Sequence, residues 1–142
     1  MAKSGKLSIV FRPTAAGMEK FWGKLEAELL EIIWANGPMT VKRALYFSNK
    51  NRKYAYTTIM TVMNHLEQKG ILIREKAGHS FLYTPVMSKD EFLKFAAENI
   101  ISQLLEDFGK IVSPVMTQMK AKSRRAHTDS PIRGRGEKPN IS

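Results

Sequence analysis

The sequence of 142 residues contains no cysteine. This absence excludes disulfide bridges, thiolate metal sites and cysteine nucleophiles. Long apolar runs are missing as well, since no stretch approaches the roughly 18 apolar residues that a membrane-spanning helix needs. The short apolar run at 7–11 is below the roughly 7-residue minimum of a signal-peptide core. We therefore expect a soluble, cytoplasmic protein that does not interact with a membrane.

The sequence also shows no pattern that is typical of an enzyme. Its three histidines, His65, His79 and His127, do not have the spacing of metal ligands. No phosphate-binding loop, paired acidic site or set of nucleophile, base and orienting residue can be recognised. We expect no catalytic activity, no metal site and no cofactor.

Acidic residues are scarce, and the net charge is +10. The segment 38–83 holds eight lysines and arginines against only Glu67 and Glu75, whereas the segments on either side of it are acidic. A basic block between acidic neighbours indicates a surface that faces a polyanion. The alternative is a charged face that is merely solvated, and charge counts do not distinguish the two.

Apolar residues recur at helical spacing in three consecutive segments. The first begins at Leu25 and ends at 36–38, the second is capped by Thr40, and the third covers 55–69. Two strand patterns follow at 71–76 and 80–84, with a glycine-containing turn between them. Three helices and a hairpin are the order of a winged helix-turn-helix domain, which is a mainly helical α+β fold with a small β wing.

The remainder of the chain predicts further helices and two tails. A capping-box pattern at 88–91 opens a fourth helix that reaches about Phe108, and Ser113-Pro114 starts a short fifth helix. The expected segments are a flexible N-terminal arm (1–22), a winged-helix DNA-binding domain (23–86), a helical dimerisation region (87–119) and a basic disordered tail (120–142).

The fourth helix has an apolar surface that is wider than a helix at the edge of a small monomer needs. Such a surplus predicts a partner, and a homodimer is the simplest one. The residues expected at the dimer interface are Phe92, Phe95, Ile100, Leu104, Leu105, Phe108 and Val115.

In a winged helix-turn-helix domain the third helix enters the major groove of DNA. Hydroxyl and methyl groups on this helix can contact base edges. The residues predicted to contact bases are Thr57, Thr58, Met60, Thr61 and His65. Those predicted to contact the DNA backbone are Lys42, Arg43, Lys53, Tyr56, Arg74, Lys76 and His79. These predicted contacts have simpler alternative interpretations. Threonines on a helix are usually only solvated, and tyrosines next to it can belong to the core.

Four runs resemble the penicillinase repressor family, of the BlaI/MecI/CopY type. They are LEAE at 25–28, IIWANGPMTV at 32–41, YAYTTIMTVMNHLEQKG at 54–70 and FLYTP at 81–85. The resemblance implies a dimeric repressor that binds an inverted-repeat operator in double-stranded DNA and is joined by its C-terminal helices. It also implies a sensor protease as a partner, since in resistance systems of this family such a protease leads to cleavage in the C-terminal region.

Three features depart from the family pattern. His79 stands where relatives often have arginine or lysine after the wing glycine, so that an imidazole replaces a permanently charged side chain at a predicted phosphate contact. The cysteine pairs of the copper-responsive branch are missing, and the tail at 120–142 is basic where many relatives have an acidic helix. The sequence thus predicts a sequence-specific repressor. The alternative is a basic winged-helix module that binds RNA or DNA without sequence preference.

Overall fold

The structure is a computed structural model that describes residues 7, 9–50 and 52–129, with side chains up to Arg124. The chain divides after Ala96 into two units. In chain order the elements are a 3-10 helix (Gly17–Lys20), α1 (Lys24–Asn36), α2 (Val41–Ser48), α3 (Tyr56–Gln68), β1 (Leu72–Ala77), β2 (Ser80–Pro85) and α4 (Lys89–Asp129).

The core of the first unit forms where α1, α2 and α3 turn their apolar stripes inward. In α3 the stripe consists of Ile59, Met63 and Leu66, at spacings of four and three residues, and all three are fully buried. This confirms the periodicity that predicted the helix. Because α3 begins with β-branched residues of low helix propensity, this burial is what keeps it helical.

The ends of these helices are set by the capping residues that the sequence predicts. Thr40 accepts a hydrogen bond from the backbone amide of Arg43 at 3.2 Å, which caps α2. Gly37, with φ of 93°, ends α1 in a conformation that other residues rarely adopt. Ser88 and Glu91 exchange reciprocal hydrogen bonds at the start of α4.

The hairpin is anchored to the helices by an isolated β-bridge. β1 and β2 pair antiparallel, from Leu72 opposite Pro85 to Ala77 opposite Ser80. Met39, in the connection between α1 and α2, exchanges two backbone hydrogen bonds with Tyr83, at 3.1 and 2.9 Å. The hairpin is therefore the wing of a winged helix-turn-helix fold, as predicted.

The described part of the N-terminal segment differs from the flexible arm expected over 1–22. Met18 and Trp22 are buried in the core, and the ring of Phe21 packs edge-on against Phe92 with 5.4 Å between centroids. The guanidinium of Arg12 donates to the backbone carbonyl of Trp22 at 3.2 Å. The prediction of a flexible arm is therefore wrong for these residues. The sequence shows no sign of this order because the segment is held by a few large side chains and not by a periodic apolar pattern. Residues 1–6 and 8 lie outside the described residues.

The beginning of α4 belongs to the core of the first unit. Phe92 is fully buried, and its ring lies against those of Trp22 and Trp34, with 5.6 and 6.1 Å between centroids. Ala96 is buried as well. The predicted domain boundary at 86 therefore moves to 96, and Phe92 is corrected from a dimerisation residue to a core residue.

The second unit is helical throughout its described part, 97–129. α4 has one non-helical residue, Phe108, with φ of −134° and ψ of 35°, and the helix resumes directly after it rather than at Ser113. It includes Pro114 and continues to Asp129, so that 120–129 is helical where disorder was predicted. The lysines, arginines and alanines of this stretch are good helix formers. Residues 130–142 lie outside the described residues. Among those described, no helix is long and apolar enough to span a bilayer.

An ion pair joins the start of α1 to the end of α3. Both carboxylate oxygens of Glu26 accept hydrogen bonds from Lys69, at 3.1 and 2.9 Å, and one also accepts the amide of Gly23 at 3.0 Å. Burial by itself raises the pKa of Glu26, but the Gly23 amide, Lys69 and, more weakly, His65 together hold it below its usual value.

We expect the substitution Glu26→Gln to lower the free energy of unfolding by about 1 kcal/mol at pH 7, because it removes this charge. Since the pKa of Glu26 is lowered on folding, its contribution is complete above the unfolded-state value and is lost as the pH falls through the folded-state value. The difference between wild type and variant should therefore shrink in acid. Urea unfolding at pH 7 and below pH 4 measures it. Glu28→Gln, on the same helix, is the control, and an equal effect in both variants would contradict the role of the pair.

Candidate nucleic-acid interface

The exposed face of α3 is lined by hydroxyl groups. With about 100° per residue, Thr57 and Thr61 lie directly opposite the buried stripe of Ile59 and Met63. Both threonines are exposed, and Gln68 continues the same line at the end of the helix. This face therefore presents short polar side chains, which allow another molecule to approach the helix backbone closely.

The other predicted base-contacting residues lie on the two flanks of this line. Thr58 and His65 are exposed on the flank that is nearer to Glu26. Met60 is partly buried on the opposite flank, where it faces the wing together with Tyr56. The five residues thus share one helix but not one face.

A concavity of about 170 Å³ lies between the start of α2, the wing side of α3 and the hairpin. We call it the wing groove. The residues predicted to contact bases or backbone that line it are Lys42, Tyr56, Met60, Arg74 and His79. The fold therefore brings two cations and an imidazole, from α2 and the hairpin, to one place beside the exposed face of α3.

The remaining predicted backbone contacts are exposed but lie outside the wing groove. Arg43 is on α2, Lys53 is in the connection between α2 and α3, and Lys76 is on β1. The connection is braced by the side chain of Asn49, whose Oδ1 accepts the backbone amide of Tyr54 at 2.9 Å. Tyr54 packs against the core.

Asn64 connects α3 to the wing, a role that the sequence did not reveal. Its Oδ1 accepts a hydrogen bond from the hydroxyl of Tyr83 at 2.6 Å and a longer one from Arg74 at 3.4 Å. The guanidinium of Arg74 also lies over the ring of Phe81, 4.4 Å from its centroid. The only sequence signal is an asparagine in the middle of a helix, where its propensity is low.

Tyr83 is suited to donate this hydrogen bond. It is 1% exposed, and burial raises the pKa of its phenol, although Arg74 opposes the shift. The phenol therefore keeps its proton in neutral and mildly alkaline solution. Since the backbone of Tyr83 is also bonded to Met39, this one residue fixes the wing to both α3 and the connection before α2.

The charge of this surface is one-sided. The sequence contains no aspartate or glutamate from 32 to 66, a stretch that includes all of α2 and most of α3. The same stretch holds five lysines and arginines. Glu67 at the end of α3 and Glu75 on β1 are the acidic residues that follow within the domain's basic segment 38–83. A net positive charge beside an exposed helix with hydroxyl groups is typical of a surface that binds nucleic acid.

The model of the penicillinase repressor family matches residues 22–127. The chain belongs to this family. The match covers both units of the structure, and it includes the wing groove, the exposed face of α3 and most of α4.

Individual members of the family match only part of this chain. Transcriptional regulator BlaI of Mycobacterium tuberculosis is 30% identical over 88 residues, which are 61% of this chain and 63% of the relative. The penicillinase repressor of Bacillus licheniformis is 23% identical over 78 residues, or 55% and 61% of the two chains. The chain thus matches less than two thirds of the length of either relative. A solution structure of the DNA-binding domain of the repressor BlaI is 26% identical, with a TM-score of 0.45, and the match covers 48% of this chain and 83% of that one.

The hydrogen bond between Tyr83 and Asn64 is open to a double-mutant cycle. We expect Tyr83→Phe and Asn64→Ala each to destabilise the protein, and the pair to show a coupling energy of about 1 kcal/mol, because the second substitution removes a bond that is already lost. Thermal or urea unfolding of the four proteins gives this value. Tyr54→Phe combined with Asn64→Ala is the control and should be additive. Additivity of the Tyr83 pair would show that the bond does not hold the wing.

Proposed function

We propose that this protein is a sequence-specific transcriptional repressor that binds an inverted-repeat DNA operator as a homodimer. The observation that carries the proposal is the exposed, hydroxyl-bearing face of α3 beside a surface of net positive charge. Family membership supports it, since the matched relatives are named as a transcriptional regulator and a penicillinase repressor.

In the proposed complex α3 lies in the major groove, which is wide enough for one helix. Thr57 and Thr61 face the base edges, where each hydroxyl can donate or accept a hydrogen bond and each methyl group can contact a thymine. On either side of this line lie Thr58, His65 and Met60. These side chains are farther from the floor of the groove and reach base edges only towards its sides.

The cations of the wing groove hold the phosphates in this arrangement. Lys42, Arg74 and His79 would contact one strand of the backbone together with the hydroxyl of Tyr56. Lys53, Arg43 and Lys76 extend the positive surface beyond the groove. These contacts supply affinity and orientation, whereas the discrimination between sequences comes from α3.

The second unit supports a homodimer by its unpartnered apolar surface. After Phe108, the side chains of Ile111, Val115 and Met119 follow one another at four-residue spacing and are 70%, 45% and 62% exposed. Of the predicted dimerisation residues, Leu104, Leu105, Phe108 and Val115 are exposed, whereas Phe95 and Ile100 are partly buried. Apolar surface of this extent on a helix is stabilised by a second copy of the same helix.

A dimer also provides a route for release of the operator. Cleavage by a sensor protease within the second unit would separate the two DNA-binding units, and each would then bind only a half-site. The loss of the linked second half-site lowers the affinity strongly, because the second contact is no longer intramolecular.

We expect Thr57→Val and Thr61→Val to reduce the preference for operator over random duplex by about tenfold each, since valine keeps the shape of threonine but cannot form hydrogen bonds to bases. Thermal unfolding should hardly change, because both side chains are exposed. Competition binding with the two duplexes measures the preference. Thr117→Val, on the second unit, serves as the control. Full operator preference in both α3 variants, or equal binding of the two duplexes by the wild type, would count against sequence-specific recognition.

We expect Ile111→Asp and Val115→Asp to convert the dimer to monomers at micromolar concentration, because each places a charge in an apolar contact. Sedimentation velocity reports the mass directly. Thr117→Asp lies on the opposite side of the same helical stretch and should leave the dimer intact. A wild-type protein that sediments as a monomer at this concentration would contradict the proposed assembly.

A further inference from the structure

The exposed face of α2 carries a cluster of cations and aromatic rings that the recognition face does not use. Tyr46, which is 56% exposed, and Phe47 lie edge to face with 5.4 Å between centroids. The guanidinium of Arg43 is 5.3 and 5.0 Å from these two centroids, and the ammonium of Lys50 is 5.2 and 5.5 Å from them. Two cations thus share one pair of rings.

These contacts fix the position of the cations without neutralising them. An aromatic ring attracts a cation through its quadrupole but carries no net charge, so both positive charges stay available to an anion. The guanidinium of Arg43 is held near the rings while its planar N–H fork keeps the geometry that matches phosphate. Since the sequence from 32 to 66 contains no acid, no carboxylate of this stretch competes.

The cluster continues from the wing groove along α2. Lys42 and Tyr46 are four residues apart on the face of α2 opposite the buried Val41 and Ala44, a rise of about 6 Å along the axis. Lys50 follows in the turn after α2, where its ammonium lies 5.2 Å from the ring centroid of Tyr46. Lys42 itself lines the wing groove. A polyanion that lies in the groove therefore meets an unbroken row of side chains if it continues along α2.

We propose that Arg43, Tyr46 and Lys50 form a second phosphate-binding track, which holds the DNA backbone outside the segment that α3 reads. The track rests on the proposed function for the identity of its ligand. DNA is the occupant because the row is continuous with the wing groove. An acidic protein segment would not need that continuity, and it is an alternative outcome of the test below.

The track is tested with the full-length chain by fluorescence anisotropy, on an inverted-repeat duplex and a random-sequence duplex across a range of salt concentrations. Lys50→Ala should weaken both duplexes by the same factor, roughly fivefold, and reduce the slope of log K against log salt by about one. Tyr46→Leu keeps the charges of Arg43 and Lys50 but removes the ring that positions them. It should weaken binding to both duplexes about twofold and leave the salt slope unchanged. Tyr46→Phe, which retains the ring, should resemble wild type.

Lys94→Ala is the matched control, since it removes the same charge from an exposed position on α4. If Lys50→Ala behaves like Lys94→Ala on both duplexes, the track does not exist. If Lys50→Ala instead loses binding to poly-glutamate while its DNA binding is unchanged, the surface serves an acidic protein and the proposal is overturned. A third outcome separates the two proposals. If the wild type binds both duplexes equally and Lys50→Ala still lowers the salt slope, the track is supported and sequence-specific repression is refuted.

Discussion

The position of α3 is the constraint on which the rest of the structure depends. An isolated helix of 13 residues that begins with β-branched residues is not stable in water. It persists here because Ile59, Met63 and Leu66 are buried against the neighbouring helices. The burial of one stripe decides which face is left outside. The hydroxyl-bearing face of α3 is therefore exposed as a direct consequence of the packing.

Three polar contacts then fix the helix along its length and hold its surroundings in place. Asn49 braces the connection before α3, Asn64 is bonded to Tyr83 of the wing, and Lys69 at the end of the helix is paired with Glu26 of α1. The first contact lies within the connection between α2 and α3, and the other two join α3 or its end to the wing and to α1. Together they set the orientation of α3 relative to the wing, so that the cations of the wing groove stand beside the face that we propose for base recognition. The cation–aromatic cluster of α2 extends the positive surface from the wing groove along α2.

Periodicity and capping signals predicted the fold of the first unit well, because they depend on neighbours in the sequence. Thr40, Gly37 and Ser88 mark the helix ends where expected, and the two strands of the wing pair as a hairpin, as predicted. The exposure of Thr57 and Thr61 also follows from the helical period.

The remainder depends on contacts between distant residues, which no local pattern encodes. Trp22 and Phe92, which are 70 positions apart in the sequence, pack against each other and are both buried. For this reason Trp22, predicted in a flexible arm, and Phe92, predicted at a dimer interface, both belong to the core. The bond of Asn64 to Tyr83 likewise spans 19 residues. At 120–129 the basic composition predicts disorder, whereas the individual helix propensities of lysine, arginine and alanine favour the continued helix that the structure has.

The central claim is that the exposed face of α3 reads a DNA sequence. Selection from a pool of random-sequence duplexes by the wild-type protein, followed by sequencing of the bound fraction, tests it most directly. The account predicts that the recovered sequences converge on one two-fold symmetric element, whose half-sites are separated by one turn of DNA or a multiple of it. Recovery of duplexes without any common element, although they are bound tightly at low salt, would contradict it.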